Sequence, residues 1–402
     1  MKITALETIR PAEKPSVIWV QVHTDEGMTG LGESWFGAAA IEADVHDRIA
    51  PLLLGEDVAG IERLTRKITP YTGFYGTGAE MRGVSAVDVA LWDIAGKRAG
   101  VPVCQLLGGP YRPAIKVYNT CAGPDYVSKT SDVRPGNFGL GGGGDLKGQR
   151  FEDLDGFMNR PEEVAAELLE MGISSMKIWP FDFAEGAGDG ADISTADLKT
   201  AMVPFERIRK AHGDAMAIKA ELHGLWTVPA AIKIASALED IEPDWIEDPI
   251  WMDRIEDLAE VASATNAPIA GGETLGGLGQ IRSLVAGGGV AVPIIDVTWG
   301  GGITFAKKAG ALAEAHALPI AFHDCSGPVT LAASTHLALA CPNVAEQEIT
   351  RAFYYGWYHD YVDEPAPLEN GMIRVSGRPG LGLELVEGLR ERDGALVRQT
   401  AA

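Results

Sequence analysis

The chain has 402 residues, 46% of them hydrophobic and 22% charged, which is core material for one large barrel with an accessory domain or for two to three ordinary domains. Its formal net charge is −22, with 56 acidic against 34 basic residues, so the basic surface that nucleic acids and anionic membranes require is missing. The four cysteines, Cys104, Cys121, Cys325 and Cys341, form no CxxC pair and read as reduced thiols; with no signal-like segment and no membrane-length apolar run, the chain is expected to be cytoplasmic.

Residues 1–112 mix strand and helix periods. MKITALETIR and SVIWVQVHTDEGMTGLGE alternate like strands joined by turns, and from about residue 38 to 99 the pattern is helical, clearest in SAVDVALWDIAGKRAG. From 113 to 350 the chain becomes rhythmic. Eight short apolar segments, IKVYNT, SSMKIW, AMAIKAEL, DWIEDP, APIAGGE, VPIIDVTW, LPIAFHD and NVAEQEI, alternate with seven amphipathic helical stretches. Such alternation makes parallel βαβ units, and eight of them close into a (β/α)8 barrel of the α/β class. The tail, 351–402, is rich in Pro and Gly and is expected to return to the N-terminal unit.

One stretch breaks the rhythm. Residues 123–157 form an insertion far longer than an ordinary connection after the first barrel strand. Its GLGGGG follows no strand, opens no helix and precedes no GKS or GKT, so it does not read as a phosphate loop. It reads as a surface insertion or as an active-site lid that orders only with ligand.

In such a barrel the chemistry sits at the C-terminal strand ends. Glu221 stands in AELHG, Glu247 in WIEDP and Glu273 in GGET, 26 residues apart each time, one per βα unit. Three converging carboxylates need a cation, and all-oxygen ligation suits Mg2+. Glu221 and His223 are two apart, so on an extended chain both face one cavity. Asp296 and His323 come from neighbouring strands, where a carboxylate fixes the imidazole tautomer and raises its basicity. On the second strand Lys177 is placed to neutralise an anionic substrate or to move a proton, with Trp179 as a pocket wall. On the eighth, Glu348 is expected against the substrate, with Glu346 competing for that place because both share a face.

These motifs resemble the enolase superfamily, within it the mandelate racemase subgroup of the mandelate racemase/muconate lactonizing enzyme family. The resemblance runs through SAVDVALWDIAGK and VPVCQLLGG, then MKIW, AELHG, WIEDPI, GGET, IIDVTWGGGIT and AFHD, then GRPGLGLEL, nearly the whole chain. It implies an N-terminal α+β capping domain over the barrel mouth, with turns such as YTGFYGTG as specificity loops. It also implies abstraction of the proton α to a carboxylate, with a metal stabilising the enediolate. Racemases of the subgroup carry Lys-x-Lys where this chain has Lys177 and Trp179, which removes one of two bases. Acid-sugar dehydratases of the subgroup carry an acidic ligand followed two residues later by His, which makes Glu221 a ligand and His223 the acid that protonates the departing hydroxide. No carboxylate partner for His223 is visible in the sequence. The implied activity is Mg2+-dependent dehydration of a sugar acid to a 2-keto-3-deoxy acid, with a small-molecule carboxylate as the partner and a homo-oligomer as the expected assembly. The alternatives are a racemase, epimerase or cycloisomerase on the same scaffold, and a non-catalytic relative that binds a sugar acid.

Overall fold

Alternating apolar residues build three strands first: β1 (Ile3–Arg10), β2 (Val17–Thr24) and β3 (Thr29–Trp35). The computed structural model describes residues 1–70, 77–128, 130, 134–138, 151–187 and 190–402. β1 to β3 pair antiparallel, and the helix Ala79–Ala99 packs across them. Contact at β3 is close enough to demand glycine. A Cβ at Gly30 would stand 2.1 Å from the Ala90 carbonyl oxygen, and one at Gly32 would stand 1.8 Å from that of Ala86. The helical pattern over 38–99 is divided, with Ala38–Asp44, Ile61–Ile68 and Ala79–Ala99 as its main helices. Most of the expected specificity turn, residues 71–76, lies outside the described residues.

Eight strands follow: β4 (Ile115–Thr120), β5 (Ser175–Ile178), β6 (Ala217–Glu221), β7 (Trp245–Glu247), β8 (Ile269–Gly271), β9 (Val292–Ile295), β10 (Ile320–Phe322) and β11 (Val344–Ile349). Each pairs in parallel with the next, and β11 returns to β4 with Gln347 opposite Val117, so the sheet is a closed barrel. Beyond the seven helical stretches of the pattern, β11 is followed by a four-residue helix, Arg351–Tyr354. A hairpin of β12 (Leu368–Glu369) and β13 (Met372–Ile373) adds to β4. Finally β14 (Leu396–Ala401) pairs antiparallel with β1, so the tail completes the N-terminal sheet. No helix among the described residues is long and apolar enough to cross a membrane.

Tyr118, Trp245, Ala270, Ile294 and Ala321 form an apolar cluster among the barrel strands. Toward the N-terminal strand ends sits Lys219, fully buried, with Nζ 3.0 Å from Asp244 and 2.8 Å from Glu346, hydrogen bonded to Ser175 and 4.2 Å from the Trp245 ring centroid. Glu346 therefore belongs to this lower end, and Glu348 to the upper one.

Of the insertion, residues 139–150 lie outside the described residues. Its last part is anchored, which corrects the expectation of a lid running through residue 157. Asp153–Asn159 is a helix, and buried Asp153 accepts hydrogen bonds from Arg351 at 2.5 and 2.7 Å and from Asn119 at 3.0 Å. A buried bidentate ion pair holds this end to the barrel.

Candidate active site

The upper strand ends gather the ionisable groups. Glu221 closes β6 opposite Glu247, which closes β7, and Glu273 follows β8. One oxygen from each lies within 4.8 Å of the other two, and all three side chains are buried. Burial disfavours the charge on Glu247 and Glu273, and the neighbouring carboxylates add to it: Glu247 is pushed up to about 8, and Glu273 is raised as well. A buried all-oxygen cluster of this kind is the donor set of a hard divalent cation, and the residues present fit one.

Lys177 on β5 stands among them. Its Nζ is 3.0 Å from Glu221, 2.6 Å from Glu247 and 2.9 Å from Glu348. Burial alone would lower its pKa, but the charges of Glu247, Glu348 and Glu221 hold it well above the ordinary lysine value. It is a fixed cation. The carboxylates are also aimed from behind. Glu221 accepts the N–H groups of Leu222 at 3.0 Å and His223 at 2.7 Å, Glu247 the indole of Trp245 at 2.7 Å, and Glu348 the N–H of Asp324 at 2.9 Å.

Two imidazoles flank the cluster. His323 follows β10, and its Nδ1 is 2.6 Å from Asp296 Oδ2. The other Asp296 oxygen accepts the N–H groups of Thr298 and Trp299, both at 2.7 Å, as the N-cap of Val297–Gly300. Asp296 is thereby locked, and the Nδ1 proton is assigned by its partner. That leaves Nε2 for chemistry, 3.4 Å from Glu273 and 4.0 Å from Glu348. Burial would lower the imidazole pKa, yet the charges of Glu273 and Glu348 and the bond to Asp296 raise it well above its ordinary value.

His223 departs from the sequence expectation twice. β6 ends at Glu221, and His223 has φ +48°, a left-handed turn in place of extended strand. The turn is closed by Leu222 N–H to the Glu247 carbonyl and Gly224 N–H to that of Asp248. The imidazole still borders the same pocket as Lys177 and His323. It also has the carboxylate partner that the sequence did not reveal: Nδ1 is 2.7 Å from Asp182 Oδ2. Asp182 lies in the single turn Pro180–Phe183 after β5, an acid in an aromatic run, 41 residues before His223. Burial pulls the imidazole pKa down, but Asp182 and Glu221 outweigh it and raise it to about 10. Asp248 was missed as well. It is buried at φ +39°, its carboxylate accepts the Gly272 N–H at 3.1 Å, and burial beside Glu273 and Glu221 raises its pKa well above the carboxylate range.

Of these groups, Lys177, Asp182, His223, Asp248, Glu273, His323 and Glu348 border a cavity of about 290 Å³, walled on other sides by Phe36, Arg82, Tyr126, Trp179 and Trp299. Trp179 is a buried wall, its ring 5.8 Å from that of His223. Cys325 also borders the cavity, but burial pushes its pKa well up, so it is a thiol and not a nucleophilic thiolate. A larger open groove of about 1520 Å³, where the helix Ile61–Ile68 meets Leu278–Gly287, holds no comparable acid cluster among the described residues.

A family model described as enolase C-terminal domain-like matches residues 160–389, and one described as mandelate racemase/muconate lactonizing enzyme, N-terminal domain, matches residues 4–108. The chain is 32% identical over 405 residues to D-galactonate dehydratase of Verminephrobacter eiseniae, covering 98% of this chain and 95% of that protein. It is 34% identical over 398 residues to D-galactonate dehydratase of Ralstonia pickettii, covering 97% and 93%. Among solved structures it is similar to an enolase of the mandelate racemase subgroup from Agrobacterium tumefaciens, with 43% identity, TM-score 0.88 and coverage of 100% and 99%. An enolase protein from Sargasso Sea environmental sequencing is similar at 39% identity, TM-score 0.88 and the same coverage of 100% and 99%.

Proposed function

Because this chain belongs to the mandelate racemase/muconate lactonizing enzyme family of the enolase superfamily, we propose that it is a divalent-metal-dependent dehydratase of a sugar acid, forming a 2-keto-3-deoxy acid. One observation carries the reading. The imidazoles of two imidazole–carboxylate pairs, His323–Asp296 and His223–Asp182, border one cavity beside three clustered glutamates. β-Elimination needs a base for the α-proton and an acid for the departing hydroxide, and two positioned imidazoles supply both, each worth ~10²–10⁴-fold. The relatives named D-galactonate dehydratase support the same reaction class.

Glu221, Glu247 and Glu273 would hold the cation, taken as Mg2+ from the donor set. Bound there, it supplies positive charge against the substrate carboxylate, which makes the α-proton more acidic. Lys177 adds a second fixed positive charge beside it. His323 takes the α-proton at Nε2, and Asp296 stabilises the imidazolium that results. His223 gives a proton to the leaving hydroxide, starting charged because of Asp182. Glu348, fixed by Lys177 and the Asp324 N–H, lies against the substrate, and Trp179 closes the wall. The enol left after water departs takes a proton at its third carbon and becomes the keto acid.

A racemase needs a base on each face of the α-carbon. Lys177 is engaged at Nζ by three carboxylates, and Trp179, which stands where the second lysine would be, is not a base, so this reading is the weaker one. A panel of sugar acids incubated with Mg2+ in D2O tests the assignment by scoring 2-keto product and α-proton exchange. At least one acid is expected to give the keto product. Exchange with stereoinversion and no keto product would replace the dehydratase with the racemase, and metal binding with neither across the panel would favour a non-catalytic relative.

A further inference from the structure

Arg82 borders the cavity from the first turn of the capping helix Ala79–Ala99, well away in sequence from the barrel groups it faces. Its Nε donates to the Thr77 carbonyl and its Nη1 to the Trp35 carbonyl, both neutral acceptors. The guanidinium carbon lies 4.5 Å from the Trp299 ring centroid and 5.7 Å from that of Phe36. The third nitrogen, Nη2, has no acceptor among the described residues, and no carboxylate there comes within ion-pair distance. Two buried cations of the barrel are paired by contrast: Lys177 meets three carboxylates, and Arg351 meets Asp153 and Glu167. Arg82 is a half-buried cation without one, and burial pushes its pKa down to about 10 against the more distant pull of Asp296 and Glu273. A guanidinium so placed is unfavourable until an anion meets it, and its planar donors match a carboxylate.

Its position says where on a substrate that anion would be. The metal cluster and Lys177 take the carboxylate next to the reacting carbon. Trp299 stands between Arg82 and the base, its ring 4.7 Å from that of His323. Arg82 therefore faces the far end of a short chain whose α-carbon lies at His323, in a cavity of about 290 Å³, the low end of the range for small-molecule sites. Resting on the dehydratase reading above, we propose that Arg82 receives a terminal anion at the far end of the substrate, so that this chain acts on sugar diacids in preference to the corresponding monoacids. The terminal anion is a carboxylate and not a phosphate. The cavity is bordered by Arg82 and Arg134 but also by Asp182, Asp248, Glu273 and Glu348, and among so many acids one added negative charge suits it better than two.

The test compares kcat/KM for matched substrates: a hexonate, the hexarate of the same configuration, and the hexonate 6-phosphate, with wild type, Arg82→Gln and Arg82→Lys. The hexarate is expected to be preferred by wild type by about 10²-fold, chiefly through KM. In Arg82→Gln that preference is expected to collapse toward unity, and in Arg82→Lys to be retained in part. Thermal unfolding of each variant shows whether the loss of the Thr77 and Trp35 contacts unfolds the cap, and the Lys variant keeps the question answerable if Gln does. If wild type dehydrates the hexonate as well as the hexarate, or if Arg82→Gln leaves the ratio unchanged, the diacid proposal fails while the dehydratase stands. A best substrate bearing the phosphate overturns the carboxylate assignment. If none of the three gives keto product or α-proton exchange, the reading beneath the proposal fails first.

Discussion

Lys177 on β5 and Lys219 on β6 are register partners in one barrel, both buried, yet they sit in opposite charge environments. Around Lys219, the charges balance: Asp244 and Glu346 face Lys219 and Lys116. Around Lys177 they do not. Glu221, Glu247, Glu273 and Glu348 converge on one ammonium and one imidazole, and the cavity opens beside them. A protein can bury charge cheaply when its own residues pair it, so a balanced site is a structural plug. A surplus that the chain does not neutralise calls for something from outside it. Burial alone does not mark function here, since both lysines have it; the sign of the leftover charge does.

The strongest way to break this comparison is to remove part of the surplus. Glu247→Gln is expected to abolish Mg2+ binding measured by calorimetry and to cut turnover by more than ~10²-fold, beyond the loss usual for residues behind a ligand. Undiminished turnover, or turnover that survives excess chelator, would refute the cation reading. Next come the two imidazoles. His323→Asn is expected to lose both keto product and deuterium exchange, while His223→Asn loses product by ~10²–10⁴-fold and keeps exchange, because α-deprotonation precedes loss of hydroxide. Full exchange in His323→Asn together with its loss in Lys177→Met would move the base to the lysine face. The lower lysine should behave otherwise. Lys219→Met is expected to destabilise the fold by ~3 kcal/mol, the low end for a broken buried pair since Asp244 is part-exposed, with kcat/KM of the folded enzyme within about threefold of wild type. A large loss of activity with no fall in the unfolding midpoint would erase the distinction between the two ends.

The smallest effect sharpens the comparison from a third direction. His336 is buried on the helix Pro328–Ala340, accepting the Cys104 N–H and bonded to the Leu381 carbonyl, each at 3.1 Å. It has no charged partner and sheds its charge: burial drops its pKa from 6.5 to about 4. A group whose folded pKa is lowered leaves stability whole above the unfolded value and erodes it as pH falls. The unfolding midpoint should therefore decline between about pH 6.5 and pH 4, and His336→Gln should flatten that part of the profile. An unaltered slope would mean that other groups set the acid limb.

What reads along the chain is what repeats. The eight strands alternate with helices, evenly from β6 onward, and Glu221, Glu247 and Glu273 recur once per unit, so barrel and acid cluster are legible from spacing. Contacts made by leaving the period are not. His223 reaches the pocket through a left-handed turn, and its partner Asp182 comes from a one-turn helix on the preceding unit. Alternation puts Glu346 and Glu348 on one face, but only their height in the barrel separates the plug from the pocket. Arg82 arrives from another domain, which no local pattern announces.

The pairing of β14 with β1 has a consequence for synthesis. Ala401 lies beside Ala5 and Leu396 beside Arg10, so the outer neighbour of β1 is made only after every strand of the barrel. Until then β1 shows a bare edge, while every strand of the barrel has already emerged. The nascent chain can thus close its barrel before the cap is whole.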